Sequence, residues 1–193
     1  MGQFPGWALD VGVPDGIPLN WDESRAMSGK PLLVDSFGID KDLVLEFLCA
    51  FSRFEYGLKR AGFARGNASR VKADWDCFGK TLRTLSTEQC APVLRSCAYI
   101  LQEPPKKQVL RDGHLAWSAA ADTSVSDIER VLIYVRRVRN NLFHGGKFPV
   151  PDGPVEEVAR NTKLLQDALA VLIAVLDLPG VETVRENFAP DGN

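Results

Sequence analysis

Apolar side chains that recur at steps of three and four residues most restrict the fold of this chain. After residue 39 this spacing places apolar residues on one face of a helix, as in the series Leu43, Phe47, Phe51, Phe54 and Leu58. Asp40 precedes the series as a cap, and Gly62 follows it as a stop. These signals predict a first helix from Asp40 to about Ala61. Alternation of the kind that indicates strands is not evident.

Two further helices are predicted between this helix and the middle of the chain. Either Asn67 or Ser69 is expected to cap a second helix that runs to about Leu85. The sequence Ser86-Thr-Glu-Gln89 is a capping box that opens a third helix, and Pro104-Pro105 closes it. Residues 106–122 follow as a polar connection.

The last two predicted helices are joined by a short connection and are therefore expected to be antiparallel neighbours. Ser126-x-x-Glu129 is a second capping box, and it opens a fourth helix that runs to about His144. Gly145-Gly146 stops this helix, because glycine adopts the left-handed backbone at a helix end. Pro154 suits the first turn of a fifth helix, which runs to about Leu178.

The predicted fold class is all-α, an antiparallel helical bundle of about five helices with an irregular N-terminal arm. Residues 1–38 form the arm, because six Gly and four Pro punctuate them. Residues 39–180 form the bundle, and residues 181–193 form a C-terminal tail.

The composition excludes several classes of protein. Lys and Arg number 23 against 25 Asp and Glu, so the whole molecule is not a basic nucleic-acid binder. No apolar run approaches the roughly 18 residues of a membrane span, and no signal-peptide pattern is evident, so we expect a cytoplasmic protein without a membrane partner. With two His and no Cys-x-x-Cys pair, we expect no metal site and no cofactor. The four cysteines are expected to be buried and reduced.

Basic residues are concentrated in two stretches of this slightly acidic chain. Residues 130–151 contain no acid but carry Arg130, Arg136, Arg137, Arg139 and Lys147. Residues 53–72 carry a single acid, Glu55, beside Arg53, Lys59, Arg60, Arg65, Arg70 and Lys72. If the two stretches adjoin in space, they form a focused positive surface that suits a phosphate backbone. Ordinary solvated helix faces are the alternative.

Arg139 is the residue of the fourth helix that does not fit a purely structural interpretation. It lies about 40° around the helix axis from Val135, inside the apolar sector that faces the core. A buried charge without a partner is very costly, so we expect Arg139 to have one. Either it extends to solvent or pairs with an acid for structural reasons, or it is held there for chemistry.

A second, more polar stripe lies on the opposite side of this helix and contains Ile133, Arg137, Asn140 and His144. The stripe is either a solvated face or a contact surface for another helix. The unpaired carbonyl groups at a helix C-terminus favour the protonated form of His144, so this side chain can exchange protons near neutral pH. Capping of the helix is its simpler role. The other histidine, His114, is interpreted as an ordinary residue of the connection.

The sequence Arg139-Asn-Asn-Leu-Phe-His144 resembles the signature of the HEPN superfamily (higher eukaryotes and prokaryotes nucleotide-binding). That signature has an Arg, a polar residue and, a few residues later, a His near the end of a long helix in an all-α bundle. The stretch Arg53-Phe-Glu-Tyr-Gly-Leu-Lys-Arg-Ala-Gly-Phe63 is similar to the first core helix of bacterial members. The resemblance covers roughly residues 40–178.

The resemblance implies a metal-independent endoribonuclease that acts as a homodimer through the helix of residues 126–144. It implies that Arg139 holds the scissile phosphate and that His144 transfers protons. It also implies that Asn140 orients either His144 or the phosphate. Arg136, Arg137 and Lys147 are the expected RNA or phosphate contacts, and Glu55 is the candidate partner of Arg139. The family further suggests a toxin or defence effector, with an antitoxin or another regulatory protein as a partner.

Two alternatives to a nuclease stay open at this point. Some members of the superfamily are inactive, so the chain is alternatively a non-catalytic module that binds a nucleotide, an RNA or a partner protein. A plain helical scaffold with a salt-bridged Arg139 is the other alternative. Gly146 occupies the place where some members carry a Tyr that a partner enzyme modifies, which argues against that variant.

Overall fold

A computed structural model of the chain describes residues 38–119, 122, 125–143 and 155–188. These residues form seven helices and two antiparallel hairpins. The helices are α1 (Lys41–Arg60), α2 (Trp75–Leu82), α3 (Thr87–Ser96), α4 (Ala98–Gln102), α5 (Asp127–Phe143), α6 (Val155–Val175) and α7 (Glu182–Phe188). The strands are β1 (Ala64–Asn67), β2 (Arg70–Ala73), β3 (Lys107–Arg111) and β4 (His114–Ser118). The predicted arm, residues 1–38, lies outside the described residues except for Gly38.

The prediction of an all-α bundle of about five helices is wrong, because the described residues include two small two-stranded sheets. In the first sheet, β1 pairs with β2, from Ala64 opposite Ala73 to Asn67 opposite Arg70. In the second, β3 pairs with β4, from Lys107 opposite Ser118 to Arg111 opposite His114. The first sheet occupies the predicted start of the second helix, and the second occupies most of the predicted polar connection.

Local turn chemistry explains why residues 64–73 are not helical. The Asn67 Oδ1 atom accepts hydrogen bonds from the Ser69 backbone N–H at 3.0 Å and from its hydroxyl at 2.8 Å, so Asn67 closes a turn instead of capping a helix. Helix α2 begins later, where the Asp74 carboxylate accepts from the Cys77 N–H at 3.1 Å. In the second hairpin, Asp112 and Gly113 have φ of 53° and 78°, which a two-residue hairpin turn requires.

Three of the predicted caps are confirmed. Asp40 accepts from the Leu43 N–H at 2.9 Å at the start of α1. Ser86 and Gln89 form the reciprocal capping box of α3. Ser126 and Glu129 form the equivalent bonds before α5, with the Ser126 N–H donating to Glu129 at 3.2 Å. The predicted third helix is interrupted at Cys97, so that α3 and α4 are separate.

The core is formed by the apolar faces of the helices, which pack against α6 and α1. Helix α6 packs against α1, α3, α4 and α5. Its contribution to the core includes Leu164, Leu165, Ala168, Val171, Leu172 and Val175, all 2% exposed or less. Helix α5 contributes Val131, Tyr134 and Val135, none of which is exposed. Because a helix has 3.6 residues per turn, these three residues lie on one face of α5, and the opposite face is left outside the core.

The C-terminal segment from residue 181 contains α7, which packs closely on α1. A methyl group on Gly57 would lie 2.8 Å from the Val184 carbonyl oxygen, so the two helices touch through backbone. The Phe188 ring meets Phe54 edge-on at 6.3 Å, and the Arg53 Nε–H donates to the Phe188 carbonyl at 2.9 Å. These contacts attach α7 to α1.

The four cysteines are all free thiols, but only two of them are buried. Cys90 and Cys97 lie in the core, whereas Cys49 and Cys77 are exposed, so the expectation of four buried thiols is wrong. Burial, together with the charge of Asp167, raises the pKa of the Cys97 thiol to about 12.

Candidate nucleic-acid interface

The two basic stretches of the sequence adjoin in space. Between α1, the β1–β2 hairpin and α5 lies a cleft of about 390 Å³, which we call the basic cleft. Its basic lining residues are Lys59, Arg65, Lys72, Arg136 and Arg139, against the single acid Glu55. Cations held this close in a concave surface focus a positive potential that attracts anions.

The β1–β2 hairpin supplies two of these cations through its register. Arg65 and Lys72 are directly opposite each other across the strands. Two like charges in such a pair repel, so the hairpin accepts a local cost to present them together. Ala73, which is 7% exposed, anchors the base of the hairpin, and the Asp74 N–H donates to the Phe63 carbonyl at 2.9 Å.

Trp75 forms the apolar floor beneath the basic cleft. Its ring stacks on Phe54 at 5.2 Å and on Phe51 at 5.3 Å, which ties the start of α2 to α1. Its indole N–H donates to the Glu55 carboxylate at 2.9 Å. Glu55 therefore accepts a hydrogen bond from Trp75. Among the described residues, it forms no ion pair with Arg139. The suggested pairing of Glu55 with Arg139 is not formed here.

Arg139 is half-buried, and its partners are aromatic. The guanidinium carbon lies 5.1 Å from the centre of the Phe51 ring and 5.3 Å from that of Phe143. One terminal N–H donates to the Asn140 side-chain oxygen at 3.0 Å. The negative faces of the two rings stabilise the cation inside an apolar sector. The guanidinium is thereby held at the edge of the basic cleft.

Asp76 joins two arginines that belong to different basic stretches. Its carboxylate accepts from Arg136 at 2.8 Å and from Arg65 at 3.3 Å. Burial acts to raise the pKa of the Asp76 carboxyl, but the hydrogen bond and charge of Arg136 and the charge of Arg65 outweigh it, so the pKa lies below its usual value. The bridge fixes the hairpin relative to α5.

Arg137 lies on the other side of α5, where it forms an ion pair, a hydrogen bond and a contact with an aromatic ring. Its side chain is 11% exposed and pairs with the Asp122 carboxylate at 2.5 Å. It also donates to the Pro105 carbonyl at 3.1 Å and lies over the Tyr134 ring at 5.3 Å. Of the predicted phosphate contacts, Arg136 thus lines the basic cleft and Arg137 does not. Lys147 and the catalytic candidate His144 lie outside the described residues.

A second cleft, of about 430 Å³, lies between α5 and the start of β3, and we call it the amide cleft. The side-chain amides of Gln108, Asn140 and Asn141 line it, together with Ile133, Asp122 and the basic residues Lys107, Arg136 and Arg137. The described members of the predicted polar stripe, Ile133, Arg137 and Asn140, therefore face this cleft. Of these, Asn140 is exposed, whereas Ile133 and Arg137 are half-buried.

Several residues that line or support the two clefts were not among the sequence-predicted site residues. Lys59, Arg65 and Lys72 belong to a stretch whose basic character was visible, but only the hairpin register shows which of its cations share a surface. Asp76 and Gln108 carry no signal in the sequence, because their roles depend on contacts with distant segments.

The chain matches no protein-family model, no curated protein and no solved structure. Within the described ranges, no helix is both long and apolar enough to cross a membrane. In the same part of the chain, no group of three or more His, Cys, Asp or Glu side chains is placed to bind a metal ion.

Proposed function

We propose that this protein binds RNA in the basic cleft and cleaves it as a metal-independent, HEPN-type endoribonuclease. The observation that carries the proposal is the convergence of five cations, Arg139 among them, from two separate stretches of sequence on one cleft that Asn140 also lines. The net charge of the chain is −2, so this concentration is local and not a property of the whole surface. A phosphodiester backbone is the polyanion that such a cleft suits.

The proposed reaction uses the 2′-hydroxyl of the RNA as its nucleophile. A base must remove the proton of that hydroxyl, an acid must protonate the leaving oxygen, and positive charge must stabilise the phosphorane-like transition state. Arg139, preorganised between two rings, contacts the scissile phosphate. His144 transfers the protons, and Asn140 orients the reacting groups. Arg136, Lys147 and the hairpin cations contact neighbouring phosphates, whereas Arg137 is paired with Asp122 outside the basic cleft.

The proposed active form is a homodimer that forms through the helix of residues 126–144. One chain supplies a single histidine at the motif, whereas two chains related by a two-fold axis supply two, one for each proton transfer. As a cytoplasmic ribonuclease of this type, the protein would act as a toxin or defence effector, with an antitoxin or another regulatory protein as its partner.

The decisive experiment compares the two histidines of the chain. Purified His144→Ala protein should lose cleavage of single-stranded RNA and keep its affinity for the RNA. His114→Ala is the matched control, since His114 is exposed at the start of β4, and it should cleave like the parent. Cleavage by the parent should persist in EDTA. Equal cleavage by His144→Ala protein, or a requirement for added metal ions, would contradict the proposal.

A second candidate function is that of a non-catalytic RNA- or nucleotide-binding module. The observation that favours it is that Arg139 already has partners in Phe51, Phe143 and Asn140, as expected of a structural cation. The same experiment separates the two candidates. If the protein is such a module, the parent and both variants bind RNA in a salt-dependent manner, and none of them cleaves it.

A further inference from the structure

The basic cleft and the amide cleft lie on opposite flanks of α5 and share two residues. Arg136 and Asn140, one helical turn apart, line both clefts. Asn140 is exposed, so a ligand in one cleft can reach across this ridge into the other. The two clefts are therefore parts of one continuous surface.

The positive charge of the amide cleft is largely balanced by two carboxylates, Asp122 in its lining and Asp76 outside it. Asp122 pairs with Arg137 at 2.5 Å, and Asp76 pairs with Arg136 at 2.8 Å. In the described part of the chain, this leaves Lys107 as the lining cation without an ion pair. In the basic cleft, by contrast, Lys59, Lys72 and Arg139 form no ion pair with a described carboxylate. Attraction of phosphate therefore favours the basic cleft.

The amide cleft instead offers neutral hydrogen-bonding groups. The Gln108 side chain forms no hydrogen bond with any described residue. The Asn140 oxygen is occupied by Arg139, which leaves its NH₂ group, and the Asn141 NH₂ group donates to the Lys106 carbonyl at 2.8 Å, which leaves its oxygen. Donors and acceptors thus stand beside the apolar side chain of Ile133.

Such a lining matches the chemistry of a nucleobase. A base has an apolar face and an edge that alternates donors with acceptors, and a side-chain amide can satisfy both kinds of group at once. Unstacked RNA bases are read in this way, by hydrogen bonds to their edges.

We infer that the amide cleft is a base-binding subsite for the nucleotide whose phosphate occupies the basic cleft, and that Gln108 determines which base is preferred. The inference rests on the proposed RNA binding at the basic cleft. It assigns phosphate contact and base contact to opposite flanks of α5.

The test measures affinity for two sets of ligands, the four ribonucleoside monophosphates and four homopolymeric oligoribonucleotides of equal length. The parent protein should prefer one base. Gln108→Ala should reduce that preference about fivefold or more, the discrimination of a bidentate amide–base contact, without changing the salt dependence. Lys72→Ala should weaken binding to every base alike and reduce the salt slope by about one. Gln102→Ala, at an exposed position outside both clefts, is the matched control and should behave as the parent.

The outcomes separate the inference from the function on which it rests. A base preference among the monophosphates identifies a free nucleotide as a sufficient ligand, whereas a preference among the oligonucleotides alone identifies an RNA strand; both support the subsite. Salt-dependent binding without a base preference, unchanged in Gln108→Ala protein, overturns the subsite and leaves the basic cleft as an RNA site. No binding to either set, by parent protein that is folded, overturns the proposed function itself.

Discussion

Asp76 illustrates, at the scale of one residue, how a carboxylate organises a basic surface. It does not line the basic cleft, yet both arginines that it bridges do. Each guanidinium uses one terminal nitrogen for Asp76 and retains its other N–H groups for a ligand. Holding long side chains in place before binding reduces the entropy that a ligand must overcome.

Asp76 should also make the stability of the protein depend on pH in the acidic range. Because its pKa is lowered in the folded chain, its contribution is present above the unfolded pKa of about 3.9 and is lost as the pH falls through the folded value. The carboxyl is half exposed, so the contribution should stay below about 1 kcal/mol. The free energy of unfolding of Asp76→Asn protein, measured in urea, should therefore fall less between neutral pH and pH 3 than that of the parent.

The control for this prediction is Asp177→Asn, which removes an exposed acid that forms no ion pair in the described part of the chain. The parent and this control should lose stability in parallel on acidification. If Asp76→Asn protein follows the same course as both, the bridge between Arg65 and Arg136 does not stabilise the fold.

At the scale of elements, α1, α5 and the two capping boxes were predictable, and the hairpins were not. The helices bury one face each, so their apolar spacing is visible in the sequence. All residues of β1 and β2 except Ala73 are exposed, so no alternation of apolar and polar residues marks these strands. The β3–β4 hairpin is a partial exception, because its Asp112-Gly113 turn is a local hairpin signal in the sequence.

The candidate site was predictable to the same extent as its elements. The period of α5 correctly placed Arg139 beside the core and Asn140 on the outer face. Of the Arg139 partners, Phe143 and Asn140 are neighbours on α5. Phe51 was not predictable, because it comes from α1 and the approach of the two helices is a tertiary property. The cations of the β1–β2 hairpin likewise join the site only through a strand pairing that the sequence does not indicate.

The β1–β2 hairpin should be sensitive to a methyl group at Gly66. This residue has φ of 150°, and an added Cβ would lie 1.9 Å from the Arg70 carbonyl oxygen. Gly66→Ala should therefore distort the strand pairing that places Arg65 opposite Lys72, and RNA affinity should fall about tenfold, as expected for the loss of one or two charge contacts. Because the hairpin is almost wholly exposed, the melting temperature should change little.

Gly180→Ala is the matched control for the hairpin variant. Gly180 also has a positive φ, 80°, but no atom lies within 4 Å of its added Cβ. The control should lose about 1 kcal/mol of stability through backbone strain and keep the affinity of the parent for RNA. Parent-like RNA affinity in Gly66→Ala protein would show that the hairpin is not part of the binding surface.

At the scale of the whole molecule, α5 has two roles that its two faces keep separate. One face carries buried residues such as Val131 and Val135 and packs on α6. The other face forms the ridge between the clefts and ends beside Phe143, which is 58% exposed. The guanidinium of Arg139 lies over the ring of this phenylalanine, 5.3 Å from its centre.

A shared site between two chains predicts how activity falls when inactive chains are added. If each site needs both histidines, only dimers of two parent chains cleave RNA. After parent and His144→Ala chains are refolded together in equal amounts, activity should be about one quarter of that of the all-parent sample, whereas independent chains would retain about one half. Mixing with His114→Ala chains should leave activity unchanged, and light scattering should give the mass of a dimer for every mixture. A decline in proportion to the parent fraction would mean that each chain carries a complete site.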